Sequence, residues 1–197
     1  MSKIKMQSAR LSFLKEQRED LFGAESGITE TIQKLDSEAR RQFRDIFTQI
    51  RENYKKTYKL FFEQGECDLQ LVGSPDPLEA DIEIFSRPKG KQMKSLRALS
   101  GGEKALTAIA LLFAIYLVKP SPYCILDEID APLDDNNIKR FTHALEHFTE
   151  NTQFIIVTHN KLTMHACDYL YGITMQEEGV SSVVSVKFKD NELEKLT

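Results

Sequence analysis

Leu99-Ser100-Gly101-Gly102-Glu103-Lys104-Ala105 is followed, after an apolar stretch and two prolines, by Tyr123-Cys124-Ile125-Leu126-Asp127-Glu128. In the first run Ser100 and Glu103 stand at the S-x-x-E spacing of a capping box, which predicts a well-defined start for an almost wholly apolar helix from Ala105 to Val118. The first N–H groups of such a helix have no intrahelical acceptor and carry partial positive charge, and glycine lets an anion approach the backbone closely. A phosphate is the natural ligand of that arrangement, although an isolated S-G-G-E run also reads as a plain cap and turn. The second run, after Pro120 and Pro122, predicts a strand buried on both faces of a parallel sheet. It ends in adjacent carboxylates, at the sheet edge where open α/β folds bind their ligands. There Asp127 suits Mg²⁺ and Glu128 suits a water molecule.

Two more runs complete the pattern, Asp130-Ala131-Pro132-Leu133-Asp134 and Val157-Thr158-His159-Asn160. In this order the sequence resembles the C-terminal half of an ABC-type ATPase head. Gln153 to Met164, Leu170-Tyr171-Gly172-Ile173-Thr174-Met175 and Gly179-Val180-Ser181 bring the resemblance closer to the bacterial SMC proteins that organise chromosomes. It covers most of the chain and is densest from Leu96 to Phe188.

The resemblance implies roles for particular residues. Glu128 would polarise the attacking water, Asp127 would bind Mg²⁺, and His159 would donate to the γ-phosphate of ATP. Ser100, Gly101, Gly102 and Glu103 would close on the ATP of an opposing head, and Asp134 would lie across that dimer interface. Asp134 also reads as an acid leading into a helix, and His159 as an ordinary structural histidine. The implied partners are the N-terminal lobe of the same polypeptide, a second SMC head in an ATP-dependent homodimer, a kleisin winged-helix domain near the end of the chain, and DNA through the full complex. The implied location is the cytoplasm, on the nucleoid.

No G-x-x-x-x-G-K-[ST] phosphate loop occurs in the sequence, and Gly90-Lys91 lacks both the earlier glycine and the following hydroxyl residue. The resemblance therefore implies a fragment of a much longer polypeptide that does not hydrolyse ATP alone, and Met1 need not be a natural start. Two related readings stay open: the head of a coiled-coil DNA-repair ATPase, and a kleisin-binding platform. The sequence departs from the family at Glu63-Gln64-Gly65-Glu66, where a glycine pair is common, and at Ser86-Arg87-Pro88, where a proline pair is common.

Composition fits this picture. A chain of 197 residues with 41% hydrophobic content can bury one sizeable core and carry a helical arm. Its net charge of −4 argues against a general electrostatic grip on DNA by this piece. Cys67, Cys124 and Cys167 are odd in number and free of C-x-x-C spacing, which suits reduced thiols, with Cys124 in the core. Neither a transmembrane stretch nor a secretory h-region is present in the sequence, so no membrane partner is expected.

The expected architecture is α/β: the resemblance implies that residues 1–60 are the end of a coiled-coil arm or neck, although they also read as an ordinary amphipathic helix packing on its own domain, and that 61–197 form a lobe with a parallel-rich sheet, flanking helices and a terminal hairpin. Leu35, Ala39, Phe43, Ile46, Phe47, Ile50, Tyr54 and Tyr58 recur at helical spacing, with Gly23 and Gly27 expected to interrupt the helix upstream. Leu69–Val72 and Ile82–Phe85 read as an antiparallel pair about a Gly73–Pro77 turn. Ile138, Phe141, Leu145 and Phe148 mark one face of a later helix, capped by Asn136 or Asn137. Phe154–Val157 reads as a strand followed by a short helix after Asn160, then a hairpin of Leu170–Met175 and Val183–Phe188 about Glu177-Glu178-Gly179. His143-Ala144-Leu145-Glu146-His147 matches the H-x-x-E-H zinc spacing but lacks an evident third ligand and reads as a solvated helix face. The basic loop from Arg87 to Arg97 reads as a solvated connection or as a contact to nucleotide, DNA or a partner head.

Overall fold

The structure, a computed structural model, describes residues 2–88, 93–177 and 179–187. Residues 89–92 of the basic loop, Glu178 of the expected turn and Phe188 of the expected last strand lie outside these. The chain begins with one helix, α1, Ser2–Phe62. Gly23 and Gly27 do not interrupt it, which corrects the sequence expectation. Each costs about 1 kcal/mol relative to alanine in a helix interior, and a cooperative helix this long absorbs that cost.

By contacts the chain divides into two units, the first comprising the residues up to Phe47 together with Ser74–Ala80. Within it, the Arg40 guanidinium grips Asp76 with Nε at 3.0 and 3.1 Å from the two carboxylate oxygens and Nη2 at 2.7 Å. That bidentate pair holds the Asp76 carboxyl below the usual carboxylate range. Upstream, Met6, Leu14, Ile28 and Leu35 are exposed.

The second unit comprises Thr48–Gly73 and everything after Asp81. Here the α1 periodicity does find partners: Tyr54, Tyr58, Phe61 and Phe62 are buried. Strands β1 (Glu66–Val72) and β2 (Asp81–Arg87) pair antiparallel as expected, though each is longer, and β3 (Lys94–Ser95) adds to β2. In the departing loop Glu63 takes φ 34°, a left-handed conformation that glycine adopts without cost. At Gly65 a Cβ would come within 2.6 Å of the Tyr58 ring, so this glycine is required by close approach.

Helix α2 (Gly101–Tyr116) is capped by Ser100 and is followed by β4 (Tyr123–Asp127), α3 (Asp135–Glu146), β5 (Gln153–Val157), α4 (Lys161–His165), β6 (Tyr169–Glu177) and β7 (Val180–Lys187). The Phe113 ring on α2 is the centre of the core. It stacks on Phe148 at 4.8 Å and meets Phe61, Phe154 and Tyr116. Thr57 donates to the Ala110 carbonyl at 2.8 Å, keying the base of α1 to α2.

Strands β4 and β5 pair in parallel register, Ile125 opposite Ile155 and Asp127 opposite Val157. This is the one parallel pairing among the described residues; β6 and β7 form an antiparallel hairpin. The expectation of a parallel-rich sheet with strands buried on both faces is thus corrected. Leu126 is buried, whereas Tyr123 and Ile125 are 59% and 61% exposed. Alternation along a strand sends successive side chains to opposite faces, so the helices cover one face and the other is an open apolar surface that includes Ile155 and Val157.

Candidate functional site

The predicted residues gather into two clusters. The first sits at the carboxyl ends of β4 and β5. Asp127 closes β4 on its exposed face, and Glu128 turns the chain with φ 46°. A left-handed non-glycine residue costs on the order of 1–3 kcal/mol and persists where its surroundings over-determine it. The Glu128 N–H donates to the Val157 carbonyl at 2.9 Å, and the Glu128 carbonyl accepts from Ala131 N–H at 3.1 Å. The side chain is thereby aimed at the next turn, where His159 Nδ1 lies 3.7 Å from Glu128 Oε1. These side chains are 63% and 77% exposed, so solvent screening makes their pairing of little worth to stability and leaves both open to a ligand.

The second cluster joins two helix starts. The Glu103 carboxylate accepts from the Ser100 N–H at 3.3 Å and from its hydroxyl at 2.9 Å, completing the expected capping box. Beside it, Asp134 caps α3 by accepting the Asn137 N–H at 2.8 Å. This corrects the expected cap at Asn136 or Asn137: those residues lie within the helix, and the preceding aspartate supplies the acceptor. Asn137 is buried, and its amide also donates to the other Asp134 oxygen at 3.3 Å. A Cβ at Gly102 would fall 2.8 Å from that amide, so glycine is what lets α2 start against the α3 cap. At Gly101 a Cβ would meet nothing within 4 Å, leaving the backbone there approachable.

Three polar residues at the site escaped sequence reasoning as a group. Asp130, Thr158 and Thr163 meet through hydrogen bonds spanning 28 and 33 residues, for which local spacing gives no signal. The H-x-x-E-H histidines are engaged locally: His143 Nδ1 lies 3.2 Å from Glu146 and His147 Nδ1 lies 3.1 Å from the His143 carbonyl. Cys67 is buried, which pushes its thiol up to about 12. Among the described residues no cluster of three or more His, Cys, Asp or Glu is poised to hold a metal. Asp127, exposed at the end of β4, is a lone carboxylate of the kind that can hold Mg²⁺ together with substrate phosphates and waters.

The family described as RecF/RecN/SMC N terminal domain matches residues 2–182. The chain belongs to this family. A match to an N-terminal domain family runs against the C-terminal half expected from the motifs and supports the SMC assignment itself. A chromosome partition protein Smc from Chlorobaculum tepidum is 54% identical over 183 residues, covering 92% of this chain and 16% of that protein. The chain thus spans about one sixth of that curated relative. The Smc head domain of Pyrococcus furiosus, with an extended coiled coil and bound to the C-terminal domain of ScpA, matches with a TM-score of 0.75 at 37% identity, covering 93% of this chain and 46% of that one. A chain from work on ATP-driven dimerization and DNA-stimulated activation of SMC ATPases matches with a TM-score of 0.69 at 37% identity, covering 75% of this chain and 89% of that one. The fold is therefore the mixed α/β fold of SMC heads. No helix among the described residues is long and apolar enough to cross a membrane.

Proposed function

We propose that this chain is the signature-bearing lobe of an SMC ATPase head, acting in chromosome condensation and segregation, and that it completes its active site by joining the lobe that carries a phosphate loop. The observation that carries the reading is the Glu128–His159 pair, held at 3.7 Å over the ends of two parallel strands beside Asp127. Hydrolysis of a phosphoanhydride needs a positioned water and stabilised phosphoryl charge. Glu128 orients the water, His159 donates to the γ-phosphoryl oxygens, and Asp127 would hold Mg²⁺, which would supply charge neutralisation for the phosphates.

We place the lobe on the C-terminal side of the coiled-coil arm, with residues 1–60 as arm and 61–197 as lobe. Support for this comes from residue order, although the matched family is an N-terminal domain: signature, Asp-Glu strand and histidine are present in sequence, and G-x-x-x-x-G-K-[ST] is not. The open apolar face of β4 and β5 is where the complementary lobe docks, since the matched Pyrococcus furiosus chain is about twice the length this one covers. Ser100, Gly101, Gly102, Glu103 and Asp134 face the nucleotide of a second head, so ATP joins two heads and its hydrolysis releases them. DNA is engaged through the whole complex, on the nucleoid in the cytoplasm.

The test is ATP turnover by the chain alone and after mixing with its phosphate-loop lobe. Activity only in the mixture, lost with Glu128→Gln, supports the reading; activity of the chain alone overturns it. A second role is supported by the matched head bound to the C-terminal domain of ScpA and by the exposed Tyr171, Ile173 and Val183 of the β6–β7 hairpin. A kleisin winged-helix domain docks there, and binding in the absence of the other lobe is the expected result.

A further inference from the structure

Beneath the exposed pair lies a carboxylate that the proposed chemistry does not use. Asp130 is 2% exposed. Its Oδ2 accepts the Thr158 hydroxyl at 2.6 Å and also the Thr163 hydroxyl. Thr158 Oγ1 in turn accepts the Asn160 N–H at 2.9 Å, and Asn160 Oδ1 caps α4 by accepting the Leu162 N–H at 2.8 Å. The Asp130 carbonyl accepts from Leu133 N–H at 3.0 Å, closing its own turn.

One buried side chain therefore ties the turn after β4 to the turn after β5 and to the helix beyond. Those turns carry the two reacting groups: Glu128 lies two residues before Asp130, and His159 follows Thr158 directly. A hydroxyl donating to a buried carboxylate is a strong, directional bond. Among the described residues the pairing of β4 with β5 ends at Asp127 and Val157, with the Glu128 N–H bond to the Val157 carbonyl just beyond, so the reach of His159 depends on what holds Thr158.

We propose that Asp130 is the positioning residue of this site, fixing His159 against Glu128 and the γ-phosphate through the Thr158 hydroxyl. The proposal rests on the ATPase reading above. Thr163 supplies the internal comparison, because it bonds the same carboxylate from within α4 and does not adjoin His159.

The experiment measures turnover and ATP affinity of the assembled head, containing this chain and the phosphate-loop lobe, in variants of these threonines. Thr158→Val keeps the β-branched shape and removes the hydroxyl; it is expected to lower kcat roughly 10- to 100-fold, the scale of a small misplacement of a reacting group, with ATP affinity unchanged. Thr158→Ser restores turnover, and Thr163→Val lowers the melting temperature with kcat nearly intact. Should the valine variant fail to assemble, Thr158→Ser and Thr158→Ala differ by the hydroxyl alone and decide in the same way. Parent-like turnover in Thr158→Val, or an equal loss in Thr163→Val, overturns the positioning role. If Glu128→Gln in the same assembly still turns over, the ATPase reading itself has failed, and that result is separate from either.

Discussion

The cluster at the ends of β4 and β5 and the cluster at the starts of α2 and α3 are built in opposite ways. In the first, Glu128 and His159 project into solvent from turns anchored below by buried Asp130. In the second, side chains are satisfied locally, Ser100 by Glu103 and Asp134 by Asn137, and what remains presentable is backbone N–H at a helix start. A group that must act on a water has to keep its lone pairs available, whereas a surface that must close on an anion works best when its own side chains are already fixed. The first cluster is suited to chemistry and the second to engagement, so variants in the two should fail differently.

The largest effect expected from that contrast is at Glu128. Glu128→Gln keeps the shape and removes the base, and turnover of the assembled head should fall by about 10²- to 10⁴-fold, the usual contribution of a positioned acid or base. ATP-dependent association of heads should persist, read by light scattering; association lost together with turnover would erase the distinction between clusters. Ser100→Arg should do the converse. An arginine at the helix start blocks close approach without disturbing the buried face of α2, so ATP-dependent association should disappear while the circular dichroism and melting of the lobe are retained. A variant that still associates would show that this helix start is not the engaging surface.

A smaller effect separates the two uses of Asp134. As the α3 cap it contributes about 1 kcal/mol, so Asp134→Ala should lower the melting temperature by roughly 2–4 °C, as expected for a chain of this size. Asp134→Asn and Asp134→Ser preserve a cap. If these restore both melting and head association, Asp134 serves the helix alone; if melting recovers and association does not, the carboxylate also faces a partner.

Which parts of this contrast could be read from the sequence follows from how local each one is. The capping box is a four-residue pattern, and it stands in the structure as Ser100 and Glu103 predict. The helical faces at Tyr54 and Tyr58 and at Ile138, Phe141 and Leu145 are legible for the same reason, and they are buried. Juxtaposition of Glu128 with His159 needed the family resemblance, because it is created by β4 pairing with β5 across an intervening helix. Asp130 with its threonines had no local signature at all. Where the sequence misled, apolarity stood in for burial: Ile125 and Val157 read as buried, yet both are exposed among the described residues.

The last comparison uses an ion pair in neither cluster. Arg51 Nε and Nη2 donate to the two oxygens of Asp68 at 2.6 and 2.7 Å, joining the base of α1 to β1. The guanidinium holds the Asp68 carboxyl down, from an ordinary 3.8 to about 2. A carboxylate whose folded value is depressed contributes stability that is fully present above its unfolded value and is lost as pH falls through the folded one. Arg51 is partly open to solvent, which screens the pair and leaves a contribution of about 1 kcal/mol or less at neutral pH. Asp68→Asn should therefore melt slightly below the parent at pH 7, and the difference should shrink between about pH 4 and pH 2 as the parent's carboxyl takes up its proton. Turnover and head association at pH 7 should be unchanged. A loss of either would mean that the base of α1 transmits to the clusters, and that their separate behaviour is set by the arm as well as by their own anchoring.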